Sequence, residues 1–214
     1  MNWKTKPTDR FLLKFIKTRI SAPISTLVVQ YVPKVKPDFI TFLASGIGIC
    51  GGIAFGIGLA WLGGLLAAVA QVLDGVDGQV ARLTGKESAE GAFLDSVLDR
   101  YMDFSLLFGI LLYCFRFSNL NPALLILIAF LATAGASQVS YATARSASLQ
   151  MKYSRPEYAG KGTRTTVIVI CGVLTPLWIH FPLMALIYLA VHPNISMIAS
   201  LMRLKSRNVI MKKQ

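Results

Sequence analysis

Charged side chains divide this sequence into long apolar stretches joined by short basic ones. Residues 39–73, 117–144 and 165–202 contain no charged residue at all. A helix that crosses a bilayer needs roughly 20 apolar residues. The first stretch therefore predicts two spans with a turn near Trp61-Leu62-Gly63-Gly64, where Gly63 and Gly64 mark the change of direction. The second stretch predicts one span, and the third predicts two that turn near His180-Phe181-Pro182. A further span must lie between them, from about Ala92 to Phe115, with Asp95 and Asp99 on its first turns. The expected fold is an all-α integral membrane protein with six transmembrane helices over residues 37–202.

Residues 1–36 follow a different pattern. From Asp9 onward, Phe11, Leu12, Phe15, Ile16 and Ile20 share one helical face, with Lys14, Lys17 and Arg19 elsewhere. Such a helix lies in the plane of the membrane interface. Pro23 is expected to bend or end it, and Val28 to Val32 to begin a second short piece. Pro37 and Asp38 suit the first turn of the first span, with Asp38 as a capping residue. Gly48 and Gly52 form a small-xxx-small pair that serves helix packing. Residues 203–214 read as a basic tail.

Composition adds one decision. With 54% hydrophobic and 15% charged residues the chain reads as one membrane domain, yet its net charge is +12, which raises nucleic acid as a partner. The distribution of Lys and Arg removes it. The arm to residue 38 holds eight, residues 82–100 three, residues 145–164 five and the tail five, whereas the loops on the other side hold only Arg116. Twenty-one against one is a positive-inside bias. It predicts both termini and the polar segments on the cytoplasmic side of an inner or cell membrane, with membrane lipids as partners and no nucleic acid. Cys50, Cys114 and Cys171 are isolated apolar packers, His180 and His192 are structural, and no cleavable signal peptide is expected.

The candidate chemistry is acidic. Seven of the ten acidic residues fall between Asp74 and Asp103, inside apolar surroundings. Intramembrane carboxylates need partners, water or metal, and they mark function. Asp74, Asp77 and Gly78 share one helical face, and Gly91, Asp95 and Asp99 share another. Two antiparallel helices linked through Leu83 to Glu90 would bring four carboxylates to one spot. They cannot all stay ionised there without cations, and hard oxygen ligands suit Mg²⁺ or Mn²⁺. Gly78 and Gly91 leave space for a bulky ligand. Read from residues alone, the cluster also fits a polar bundle lining, a cation transporter, or an Asp-rich prenyltransferase acting on pyrophosphate.

The run Asp74-x2-Asp77-Gly78-x2-Ala81-Arg82-x8-Gly91-x3-Asp95-x3-Asp99 resembles the signature of the CDP-alcohol phosphotransferase (CDP-alcohol phosphatidyltransferase) family at all eight fixed positions. Lys6-Pro-Thr-Asp-Arg10, Arg19-Ile-Ser-Ala-Pro-Ile-Ser25 and Ser96-Val-Leu-Asp-Arg-Tyr-Met-Asp103 are similar to the membrane domain of di-myo-inositol-phosphate-phosphate synthases. In those enzymes it is often fused to a soluble cytidylyltransferase. These 214 residues contain no such segment, and a separate protein, or none, is expected to supply the donor.

The resemblance implies transfer of a phospho-alcohol from a CDP-linked donor to an alcohol, with release of CMP. It implies an inositol phosphate or similar phosphorylated polyol as acceptor. The alternative is a phospholipid head-group enzyme, making phosphatidyl- or archaetidyl-inositol phosphate or phosphatidylglycerol phosphate. Asp74, Asp77, Asp95 and Asp99 are then expected to hold one or two Mg²⁺ or Mn²⁺ ions, and Asp99 to act as general base. Asp74, Asp77, Gly78, Ala81, Arg82, Gly91 and Asp95 would bind the CDP donor. Arg145, Lys161 and Arg164 would bind the acceptor phosphate, and Asp103 would either extend the polar face or pair with a cation such as Arg145. A homodimer is expected by the same resemblance.

Overall fold

The computed structural model describes residues 15–32, 34–151 and 159–211, with side chains as far as Leu204. Phe11, Leu12 and Lys14 of the expected interfacial helix, Lys152 and Arg155 of the basic loop, and residues 212–214 lie outside the described residues. A π-helical turn, Lys17–Ser21, leads directly into α1, Ala22–Tyr31. Then follow α2 (Pro37–Gly56), α3 (Ala60–Thr84), α4 (Ala89–Phe117), α5 (Pro122–Ser148), α6 (Lys161–Val173) and α7 (Phe181–Met211). The described residues contain no strand.

Four of these helices, α2, α3, α5 and α7 as far as Leu204, are long and apolar enough to cross a membrane. Helix α4 is 29 residues long, with Asp95, Asp99, Arg100 and Asp103 in its first half. Helix α6 has 13 residues, about 20 Å at 1.5 Å per residue, against an apolar core about 30 Å thick. Large apolar side chains such as Phe39, Phe42, Ile53, Phe108, Phe130 and Ile198 face outward. That suits lipid as the surrounding solvent.

The arm differs from its expected form. Pro23 does not end the helix; it falls in the first turn of α1, directly after the π-helical turn. Ser21, Ala22 and Ser25 are buried, so this segment is docked as well as amphipathic. The basic tail is also helical through Met211, as an extension of α7.

The first turn of direction falls earlier than the Gly63-Gly64 pair suggests. The chain reverses at Ile57–Leu59, where Gly58 has φ of +97°, a conformation that favours glycine. Gly63 and Gly64 are buried inside α3 and serve helix crossing instead. A Cβ at Gly64 would lie 2.7 Å from Val173 N, and one at Gly172 would lie 2.7 Å from Gly64 Cα. Likewise a Cβ at Gly109 would strike the Gly52 carbonyl oxygen, and one at Gly48 would strike the Met102 side chain. The α2–α4 and α3–α6 crossings thus bring backbones into contact, and small residues permit it. Phe55, Met102, Leu106, Ile110, Leu186 and Leu189 fill the core around them.

This packing predicts opposite effects for two glycine substitutions. Gly109→Ala should cost about 1–3 kcal/mol, because backbone on the facing helix cannot move aside as a side chain can. Gly46→Ala, where a Cβ meets nothing within 4 Å, should gain about 0.5–1 kcal/mol from helix propensity. Thermal unfolding in detergent checks both, and shifts of the same sign would refute the crossing argument.

Candidate active site

A short link brings the two acidic helices together. Helix α3 ends at Gly85, whose φ of +66° closes the helix, with Lys86 N–H donating to the Ala81 carbonyl at 2.9 Å. Helix α4 starts at a Ser88 N-cap, whose hydroxyl accepts from Gly91 N–H at 2.9 Å. Asp74 lies ten residues before Thr84 and Asp99 ten residues after Ala89, so they meet at the same height on the two legs. Carboxylate oxygens of Asp74, Asp95 and Asp99 lie within 4.8 Å of one another.

Asp77 takes a different place. It is 5% exposed, and the Thr41 hydroxyl of α2 donates to its Oδ2 at 2.7 Å. With Asp95 it lines an open cavity whose wall also includes Gly78, Ala81, Arg82 and Gly91. A Cβ on Gly78 would meet only the tip of Arg82, at 3.6 Å, so the space beside it belongs to the cavity. Asp38 stands in the first turn of α2 behind Pro37, as expected, and from there it also lines the same cavity, next to Gly91.

The three expected phosphate-binding cations divide. Lys161, the first residue of α6, reaches the carboxylates: its Nζ donates to Asp74 Oδ1 at 2.6 Å and to Asp99 Oδ1. Arg164 is buried and committed elsewhere. Its Nη2 donates to Asp103 Oδ2 at 2.7 Å and lies 3.4 Å from Ser140 Oγ, while Nη1 donates to the Ala159 carbonyl at 2.9 Å. Asp103 also pairs with Arg100 at 3.1 Å, so its cations are Arg164 and Arg100 and not Arg145. Arg145 is exposed in the last turn of α5.

The opposite side of α3 carries a second polar contact, with the arm. The Ser21 hydroxyl donates to the Val72 carbonyl at 3.0 Å, the Ser25 hydroxyl donates to Gln79 Oε1 at 2.9 Å, and Gln79 Nε2 donates to the Lys17 carbonyl at 2.9 Å. A Cβ at Gly75 would lie 2.5 Å from Ser21 Oγ, so the arm sits directly on the acidic motif. Lys17 is near enough for its charge to act on Asp74. The sequence reading assigned no role to Lys17, Ser21, Ser25, Thr41 or Gln79. A signal existed: Lys17, Ser21 and Ser25 recur every four residues, as do Gly75 and Gln79.

Fold and site define a class, a polytopic α-helical membrane protein built around a cluster of carboxylates and cations. The chain belongs to the CDP-alcohol phosphatidyltransferase family, whose model matches residues 34–202. A Thermococcus kodakarensis protein named bifunctional IPC transferase and DIPP synthase is 34% identical over 137 residues, 64% of this chain and 30% of that protein. The chain thus matches under a third of that relative's length. An archaetidylinositol phosphate synthase from Pyrococcus horikoshii is 31% identical over 177 residues, 82% of this chain and 90% of that one. The fold is shared with the Mycobacterium tuberculosis phosphatidylinositol phosphate synthase solved with CDP-DAG bound. Its TM-score is 0.71 at 22% identity, over 86% of this chain and 92% of that one. The same enzyme was also solved in complex with manganese and citrate, with a TM-score of 0.69 at 22% identity, over 85% of this chain and 87% of that one.

The Arg164–Asp103 pair yields a prediction. Both side chains are almost fully buried, and breaking a buried pair from one side costs about 3–5 kcal/mol. Arg164→Leu should lower stability by that order, and the Arg164→Leu, Asp103→Leu double variant should recover much of it. Urea or thermal unfolding in detergent measures the cycle; additive losses would mean that the two residues are not coupled.

Proposed function

We propose that this protein transfers a phospho-alcohol group from a CDP-linked donor to an inositol phosphate acceptor, releasing CMP. The observation that carries the reading is the meeting of Asp74, Asp95 and Asp99 within 4.8 Å, beside a cavity lined by the remaining motif residues. The family match is incompatible with the prenyltransferase and transporter readings. Hard oxygen donors this close, already bridged by an ammonium, fit a divalent cation. Bound there, one or two Mg²⁺ or Mn²⁺ ions would neutralise donor diphosphate charge and stabilise departing CMP.

The chain's own residues then divide the work. Asp74, Asp95 and Asp99 hold the cation, with Asp77 completing the set from its Thr41-bound position. Arg82 faces the donor phosphates, and Gly78, Ala81 and Gly91 leave room for the nucleoside. Asp99 accepts the proton of the acceptor hydroxyl as that oxygen bonds to the β-phosphorus. The bond from phosphorus to the bridging oxygen breaks, and CMP leaves with the electron pair. Lys161 and Arg145 form the basic side to which acceptor phosphate is drawn. Arg164 supports that side from behind by holding Asp103.

We read α4 and α6, the latter continued by the turns to His180, as the two remaining spans of a six-span domain at residues 37–202. The arm over residues 1–36 lies at the interface and the tail over 203–214 is cytoplasmic. The charge bias supports cytoplasmic termini and a cytoplasmic active site. The homodimer implied by the resemblance belongs to the same reading. A phospholipid head-group activity is the second reading, favoured by the match to the archaetidylinositol phosphate synthase over 90% of its length.

A CMP-release assay with inositol phosphate as acceptor tests both readings. Turnover with CDP-inositol supports the first and turnover only with a CDP-linked lipid supports the second; no CMP from either, with glycerol phosphate and serine also tried as acceptors, overturns the reaction class. Chelation should abolish turnover and Mn²⁺ should restore it. Asp99→Asn should lower kcat by about 10²–10⁴-fold, the usual weight of a general base, while CDP-donor binding persists. Wild-type turnover by that variant would remove Asp99 from the role.

A further inference from the structure

Lys161 occupies an unusual place for a cation. It is the first residue of α6, following Gly160, where the helix dipole presents its positive end and disfavours a basic side chain. The ammonium is therefore held by the carboxylates and not by its helix. It sits 2.6 Å from Asp74 Oδ1 and also contacts Asp99 Oδ1, with its side chain 19% exposed. Asp74 and Asp99 are two of the three residues whose oxygens cluster within 4.8 Å. A divalent ion taken up by those carboxylates would lie close to the ammonium, and the two positive charges would compete for the same two side chains.

We infer that Lys161 is the resident counter-cation of the cluster and must leave Asp74 and Asp99 before a divalent ion can take them, so that this side chain sets metal affinity. The inference rests on the metal-dependent reading above. Without an ion, Lys161 offsets the mutual repulsion of the carboxylates and keeps α3, α4 and α6 drawn together. With an ion, the ammonium moves on its flexible four-carbon stem and becomes available to the acceptor phosphate.

The test is Mn²⁺ binding by the full chain, purified in detergent and stripped with chelator, followed through the electron paramagnetic resonance of free Mn²⁺. Lys161→Met removes the competitor while keeping stem volume. It should bind Mn²⁺ at least about tenfold more tightly than wild type, within the usual range of coupling between two ligands. Its metal-free form should melt at lower temperature, and Mn²⁺ should raise that temperature by more than it does for wild type. Lys161→Arg keeps the charge and should bind Mn²⁺ no more tightly than wild type, which keeps the test open if the Met variant does not fold. Equal or weaker Mn²⁺ binding by Lys161→Met, or tighter binding by Lys161→Arg, would overturn the inference and leave the proposed reaction standing. Wild-type protein that binds no Mn²⁺ would overturn both.

Discussion

Like charges held close together in a poorly solvated interior are the constraint on which this structure depends. Asp74, Asp95 and Asp99 come within 4.8 Å of one another, an arrangement that repels itself unless positive charge is supplied. The chain supplies some of it. Lys161 bridges Asp74 and Asp99 from α6, and Lys17 acts on Asp74 from the arm. Outside the cluster, the buried carboxylate of Asp103 is matched separately by Arg164 and Arg100. The two groups lie one helical turn apart on α4 and behave differently. Arg164 meets Asp103 with a planar fork that also bonds the Ala159 carbonyl, a pairing suited to a fixed joint. Lys161 meets its partners as a point charge on a flexible stem, suited to exchange.

These pairings account for the position of α6. It is short, yet it touches the site through Lys161, the buried joint through Arg164, and α3 through Gly162 and Thr166, both of which receive hydrogen bonds from Gln71 Nε2. Gly172 lets its other end approach Gly64 of α3 at backbone distance. Contacts near both of its ends therefore fix α6 against the acidic helix.

Much of this was legible in the sequence because it is periodic or spaced. The uncharged stretches located α2, α5 and α7, and the alternation of acid and glycine located the α3–α4 hairpin with its link between Leu83 and Glu90. What was misread depends on which neighbour a residue meets. Gly63-Gly64 reads as a turn when only the sequence is in view; in the structure Gly58 turns the chain and the pair receives α6. Lys161 and Arg164 look alike in a run of basic residues, and only the partners brought by α3, α4 and α5 separate them. The arm's apolar stripe was visible, but its Ser21–Ser25 edge has meaning only once Gly75 and Gln79 stand opposite it.

That last contact makes the arm part of the site's architecture. Gly75 and Gln79 occupy variable positions of the acidic motif, between the residues that face the cavity, so α3 carries chemistry on one face and its anchor on the other. The Gln79 amide is satisfied on both sides, by the Ser25 hydroxyl and the Lys17 carbonyl, and a buried amide bonded in this way tolerates little rotation of the helix that bears it. Thr41 of α2 restrains the same helix from another side through Asp77. Rotation of α3 would break the arm contacts, the Thr41 bond and the Lys161 bridge together. The direction in which Asp74 points is thus held by three separate elements, none of which lies in the acidic motif itself.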